Sequence, residues 1–280
     1  MDHSTFFLVL RVAAALGLLW LGIRWFEQQA VYVPSRVIDA TPASVGLAFE
    51  DVDFLTEDAV RLHGWWIPHP QARGTLLYCH GNGANIANRI HLCADLQALG
   101  VNVFIFDYRG YGRSKGRPSE QGTYRDARAA YEVVRARYED AERPPVVVYG
   151  ASLGGPIAAQ VALDKPVRGL VVEASFPSAI ELGRVLYPWL PVRCLARYRY
   201  DTAAKLAKSD VPKLLASSRD DTLVPFELGW SLYETAAPPK EFVELRGPHD
   251  EGGWKENPSF AQALARFLTQ TLGPIPLPQQ

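Results

Sequence analysis

The stretch "VVVYGASLGGPIAAQVAL", Val146–Leu163, changes its period at its centre. A β-branched run, "VVVYG", reads as a buried strand, and a small-residue run, "PIAAQVAL", reads as a helix. Between them lies Gly150-Ala151-Ser152-Leu153-Gly154, a Gly-x-Ser-x-Gly pattern in a strand–turn–helix setting. The glycines permit a cramped turn and close helix–strand packing. Ser152 would then raise its hydroxyl beyond the carboxyl end of the strand, where open α/β sheets take their ligands. The competing reading is a serine that merely caps a helix in a small-residue turn.

Outward from this stretch, strand-like and helix-like segments alternate. "FEDVDFLT" (Phe49–Thr56) and "VRLHGWWIP" (Val60–Pro68) read as two antiparallel strands. "GTLLYCHG" (Gly74–Gly81) and "VNVFIFDYRG" (Val101–Gly110) are apolar strands separated by a helical pattern that Gly100 closes. Ser119 is placed to cap a helix running through Tyr124, Ala127, Tyr131 and Val134, and Pro144-Pro145 ends it. "VRGLVVEA" (Val167–Ala174), "PKLLAS" (Pro212–Ser217) and "KEFVELRG" (Lys240–Gly247) are further strands, and the last helix lies near Phe260–Thr269. This alternation predicts an α/β domain with a mainly parallel central sheet and helices on both faces, edged by the opening hairpin. The expected organisation is a hydrophobic helix over 1–26, one α/β domain over 27–272 and a disordered tail over 273–280. Within the domain, the Pro- and aromatic-rich segment of about 176–210 interrupts the alternation and reads as a small cap.

The amino terminus is the compositional outlier. "FFLVLRVAAALGLLWLGIRWF", Phe6–Phe26, has an unbroken apolar core from Val12 to Ile23 and reaches spanning length when Phe6–Leu10 is added. Arg11 can snorkel to the headgroups, and Trp20, Trp25 and Phe26 suit an interfacial belt. Glu27-Gln28-Gln29-Ala30 makes a poor signal-peptidase site. An uncleaved single-pass anchor is the expectation, with secretion after signal cleavage as the alternative. Arg11 and Arg24 flank the core evenly and set no orientation.

Bulk composition narrows the function. The chain of 280 residues is 48 % hydrophobic and 21 % charged, with a formal net charge of −1. A nucleic-acid binder normally carries a basic excess, so that class is disfavoured. Cys79, Cys93 and Cys194 are odd in number and widely spaced, which offers neither a disulfide framework nor a CxxC metal site. With no Walker loop, no GxGxxG after the first strand and no His/Asp cluster, no cofactor and no metal are expected.

A serine nucleophile requires a base, an orienting acid and an oxyanion hole. His249, in "ELRGPHDEGG", is the single histidine after Ser152 and sits in a loop right after a predicted strand, which makes it the candidate base. The backbone N–H of Leu153 is one oxyanion donor, at a helix start where free N–H groups gather. The second comes from the turn His80-Gly81-Asn82-Gly83-Ala84-Asn85, with Asn82 preferred and Gly81 the alternative. His80 precedes the turn and reads as a loop-holding residue. Asp107 and Glu173, each ending a buried strand, read as structural, Asp107 fixing the loop after it through Arg109 or backbone N–H groups. For the acid, Asp250 adjoins His249 and Asp210 precedes its strand. That leaves Asp220 and Asp221 in "SSRDDTLVPF" (Ser217–Phe226), and side-chain geometry does not choose between them.

Three stretches, "LLYCHGNGAN", "FDYRGYGRSKGRPSEQGTYRDARAAYE" and "VVVYGASLGGPIAAQVA", resemble the α/β-hydrolase superfamily, and within it the membrane-anchored serine-hydrolase branch of serine aminopeptidase-type domains and protein depalmitoylases. The resemblance spans nearly the whole globular part. It implies the order Ser, acid, His, and places the acid four residues before the proline of a Val-Pro pair. Val224-Pro225 then selects Asp221, leaving Asp220 a solvated or loop-capping role. One departure stands out: the branch pattern His-Gly-Asn-Ala-Gly-Asn appears here with Gly83 and Ala84 exchanged.

The resulting expectation is a serine hydrolase acting on acyl esters or thioesters of lipid-like or protein-bound kind. Phe176, Tyr187, Trp189, Leu190 and Tyr198 of the cap are the candidate acyl-pocket residues. A serine peptidase is the rival within hydrolases, and a non-catalytic membrane-associated binding protein of the same fold is the rival outside them.

Overall fold

The computed structural model describes residues 3–138, 144–249 and 257–276. Asp250 and the last four residues of the expected tail, 277–280, lie outside the described residues. Eight strands form one sheet: β1 Glu50–Leu55, β2 Arg61–Ile67, β3 Thr75–Cys79, β4 Asn102–Asp107, β5 Val146–Ala151, β6 Gly169–Glu173, β7 Lys213–Ser218 and β8 Lys240–Leu245. Their spatial order is β8-β7-β6-β5-β3-β4-β2-β1. β2 pairs antiparallel with both β1 and β4, and every other pairing is parallel. The reversed strand is therefore β2 alone, one position in from the edge, and β1 runs with the rest.

Nine helices are described: α1 His3–Val31, α2 Ile90–Gln97, α3 Glu120–Arg135, α4 Gly154–Asp164, α5 Ala179–Leu186, α6 Val192–Leu195, α7 Thr202–Leu206, α8 Phe226–Thr235 and α9 Pro258–Leu272. Side chains alternate across the central strands, so each strand feeds two cores. Leu77 and Val148 face a core shared with Tyr131, Ile157, Leu206 and Leu232, on the side of α3, α4, α7 and α8. Tyr78 and Tyr149 face the other, with Leu92, Leu96, Phe260 and Leu264 of α2 and α9. Burial on both faces explains why these strands read as continuous apolar runs rather than alternating ones. Ser119 caps α3 as expected, its Oγ accepting from Gly122 N–H at 3.2 Å.

The amino-terminal helix does not stop at residue 26. α1 continues to Val31, and its last turns are part of the domain. Glu27 accepts from the N–H groups of Arg197 and Tyr198, and Gln28 donates to the Pro118 carbonyl at 3.1 Å. Tyr32, just past the helix, is buried and shares a 2.7 Å hydrogen bond with Tyr200. The chain then returns through Val33–Pro34, which pairs in parallel with Gly83–Ala84 of the turn after β3. This segment is thus a structured strap across the carboxyl end of the sheet.

The cap segment divides in two. α5 and α6 project from the domain and have no fully buried residues, whereas Tyr198, Tyr200 and Leu206 pack into the main core. Of the carboxyl-terminal tail, Ile275 lies against Gly100.

Candidate active site

The turn after β5 is fixed by sterics. Ser152 adopts φ +50°, a left-handed conformation that strains any residue with a Cβ. Its neighbours have no freedom to be anything larger. A Cβ on Gly150 would lie 2.2 Å from the Gly154 carbonyl oxygen, and one on Gly154 would lie 1.9 Å from that of Cys79. Each glycine of the motif thus admits a backbone that a methyl group would displace. Ser152 N–H donates to the Glu173 carbonyl at 2.9 Å, and its own carbonyl accepts from Gly155 N–H and from Ser175 Oγ, each at 2.9 Å. Three bonds therefore hold the strained residue on the end of the sheet.

Asp221 lies three residues past β7, and His249 four residues past β8. The structure brings both to Ser152. His249 Nε2 is 3.1 Å from Ser152 Oγ, and His249 Nδ1 is 2.6 Å from Asp221 Oδ2. The other carboxylate oxygen of Asp221 accepts from Leu223 N–H and Val224 N–H, each at 2.8 Å. Asp221 is buried, and its two oxygens are separately assigned: one holds the loop, the other faces the imidazole. Asp220 points elsewhere, accepting from Gly247 N–H at 3.0 Å, while Ser218 Oγ donates to the Gly247 carbonyl at 2.5 Å. Asp220 and Ser218 thereby pin the loop that carries His249, a positioning role the sequence did not single out for Ser218.

Asn82 and Leu153 line the same cavity as Ser152, whereas Gly81 is not among its lining residues. The Asn82 carbonyl accepts from Tyr111 Oη at 2.8 Å and Val33 N–H at 3.2 Å, which sets the orientation of this turn. His80 is fully buried, its Nδ1–H donating to the Gly81 carbonyl at 2.7 Å. Ala84 stands at φ +60°, a left-handed conformation at the site where the branch pattern has glycine. The exchange of Gly83 and Ala84 therefore puts the strain of a left-handed residue on an alanine.

Of the two kinds of partner expected for Asp107, a backbone N–H group is present, though on a different loop, and Arg109 is not. Arg109 turns away from it to Asp126 and Asp58. Asp107 Oδ1 instead accepts from Ile86 N–H at 3.1 Å, behind the turn after β3. Burial pushes its carboxyl up to about 7.

The cavity beside Ser152 holds about 120 Å³ and is largely apolar. Phe176 and Tyr187 line it. Trp189 and Leu190 do not; they line an adjoining groove against α1. Tyr198 lies on that groove too, and Tyr200 takes its place at the cavity. The sequence also missed Ala30 and Val31, which reach the cavity from the end of α1. Nothing in their composition marked them, since only the fold brings the strap over the sheet.

Comparison with known proteins places this architecture. Residues 70–198 match the family model described as serine aminopeptidase, S33. An uncharacterized protein of Mycobacterium tuberculosis is 36 % identical over 269 residues, covering 94 % of this chain and 95 % of that one. The alpha/beta hydrolase domain-containing protein WAV2 of Arabidopsis thaliana is 35 % identical, covering 86 % of this chain and 89 % of the relative. Among solved structures, the Pyrococcus furiosus esterase Pf2001 superposes with a TM-score of 0.70 at 25 % identity, covering 86 % of this chain and 100 % of the esterase. The chain belongs to the α/β-hydrolase family.

Proposed function

We propose that the chain is a serine hydrolase of acyl esters or thioesters, held at a membrane by α1. The observation that carries this reading is the imidazole of His249 lying between Ser152 Oγ and Asp221 Oδ2, at 3.1 and 2.6 Å. Ser152 Oγ attacks the acyl carbonyl carbon while its proton passes to His249 Nε2. Asp221 holds the Nδ1–H tautomer and stabilises the imidazolium. The N–H groups of Leu153 and Asn82 take the tetrahedral oxyanion. Collapse breaks the bond to the leaving oxygen or sulfur, which receives the proton from His249, and leaves Ser152 acylated. A water molecule then attacks the acyl-enzyme, giving a proton to His249, and the acid departs as Ser152 is re-protonated.

The lining of the cavity favours acyl chains over peptides. An aminopeptidase has to hold a cationic amine, and among the described residues lining the cavity none is acidic. The esterase likeness supports the same order, while the family model's description keeps the peptidase as the rival. The anchor reading is supported by α1 itself, whose Thr5–Val31 portion is long and apolar enough to cross a membrane. Its uninterrupted course into the docked residues Glu27 and Gln28 favours retention over signal cleavage. The deciding experiment compares purified wild type and Ser152→Ala on acyl esters, acyl thioesters and aminoacyl amides. Esters or thioesters should be turned over fastest, and only by the wild type; faster cleavage of amides would make the peptidase the better reading.

A further inference from the structure

A second and larger apolar space lies against the one just described. It is a groove of about 640 Å³ between α1 and the projecting half of the cap. That volume falls within the roughly 300–1,000 Å³ of sites that enclose small-molecule ligands. One wall comes from the span itself, through Leu18, Leu19, Gly22, Ile23 and Phe26. The opposite wall comes from the cap, through Trp189, Leu190, Val192 and Leu195. The groove and the Ser152 cavity share Ala30, Val31, Ala179, Gly183 and Tyr187, so they adjoin along one border. Tyr187 stands at that border, edge-on to Phe26 with ring centres 5.5 Å apart.

We propose that this groove takes a long acyl chain of an ester lipid lying in the bilayer and leads it, by its carbonyl end, to Ser152. The proposal rests on the serine-hydrolase reading for the chain's destination, but the occupant is set by the groove's own position. Leu18, Leu19 and Ile23 belong to the apolar core of the span, so the groove's outer end opens at hydrocarbon depth. Trp25, beside Phe26, and Trp189 on the opposite wall are 67 % and 73 % exposed, the character of residues that sit at headgroup level. The wall has one ionised side chain, Glu27, and its carboxylate is already engaged. It pairs with Arg24 at 3.0 Å and accepts from the N–H groups of Arg197 and Tyr198. Arg24 also donates to the Leu195 carbonyl, so α1 and the cap are stitched together along the groove. An alkyl chain is the ligand such a surface selects, because it asks for no hydrogen bond and leaves none unmade. A chain arriving from the hydrocarbon would meet the cavity without crossing water.

Gly22 supplies a clean perturbation. A Cβ there meets nothing within 4 Å, so a side chain at this position starts into open space, and Gly22→Phe is the variant that narrows the groove. The test uses the full chain in phosphatidylcholine vesicles, with two readouts. In the first, Ser152→Ala is irradiated in vesicles containing a phosphatidylcholine with a diazirine at the end of one acyl chain, and crosslinked peptides are mapped. Crosslinks should fall on the cap wall and on α1 between Leu18 and Val31, and Gly22→Phe in the same background should lower their yield. In the second, wild type and Gly22→Phe are compared on butyrate and palmitate esters, and the palmitate-to-butyrate ratio of kcat/KM should fall about tenfold in the variant. Turnover of both esters with crosslinks only outside the groove, or with a ratio that Gly22→Phe does not move, would overturn the proposal. Crosslinks in the groove with no turnover of either ester by the wild type would support the groove and bring down the hydrolase reading instead.

Discussion

The two adjacent aspartates divide their work through their neighbours rather than their own chemistry. Asp221 presents one oxygen to His249 and gives the other to the N–H groups of Leu223 and Val224. Asp220 reaches back to Gly247 N–H on the loop that carries His249. Asp221→Asn should therefore lower kcat by about 10⁴-fold, because the amide favours the wrong imidazole tautomer. Asp220→Asn keeps an oxygen for Gly247 and should retain most activity. Steady-state kinetics on a short ester would show the asymmetry, and the opposite order would mean that the roles are exchanged. Ser152 and His249 were legible from the sequence because the elbow has a steric signature and the downstream histidine has no competitor. The choice of acid was not legible from the residues alone. It depends on which backbone N–H groups the loop turns inward, and the Val224-Pro225 register stood in for that.

Among the elements, α1 is where the sequence reading and the structure diverge most. Hydropathy marks where a helix is apolar, not where it ends, so a boundary at residue 26 fell inside a continuous helix. The polar residues that follow are bonded to the domain. Glu27 holds the cap segment by two backbone N–H groups, those of Arg197 and Tyr198, and Glu120, at the start of α3, holds the next two, those of Arg199 and Tyr200. Hydrogen bonds to a charged acceptor contribute about 1.5–3 kcal/mol each. Glu27→Ala should therefore loosen the cap locally, and hydrogen exchange should show the amides of Arg197 and Tyr198 exchanging faster while those of β5 are unchanged. Equal protection in both proteins would mean that α1 does not hold the cap. No local sequence signal marks this contact, since its partners lie 170 or more residues apart.

At the scale of the molecule, the sheet was legible because each central strand is apolar on both faces and the crossover helices show a helical period, with Ser119 capping α3. What was not legible is the strap. Val33–Pro34 pairs with Gly83–Ala84 by backbone alone, and a two-residue ladder leaves no pattern in side chains. Behind that turn lies Asp107, whose carboxyl is pushed up to about 7 by burial. A raised folded-state value means that the native state holds its proton more tightly than the unfolded chain does. The stabilising contribution is then complete below the unfolded value near 4 and is lost as pH rises through about 7. Asp107→Asn removes this dependence. Urea unfolding at about pH 5 and about pH 8 should show wild type losing stability relative to the variant on the order of a few kcal/mol across that interval. A difference that does not change with pH would mean that Asp107 ionises in the native state as it does in the unfolded chain.

All of these effects converge on one oxygen atom. Ser152 Oγ is held on a strained turn, 3.1 Å from an imidazole that a buried carboxylate orients. The most direct measurement is covalent labelling of the folded chain by a fluorophosphonate probe, read by intact mass and peptide mapping. The prediction is a single adduct on Ser152, absent from Ser152→Ala and greatly slowed in Asp221→Asn. Folded wild-type protein that takes up no label, or carries it on another residue, would contradict the assignment of Ser152 as the nucleophile.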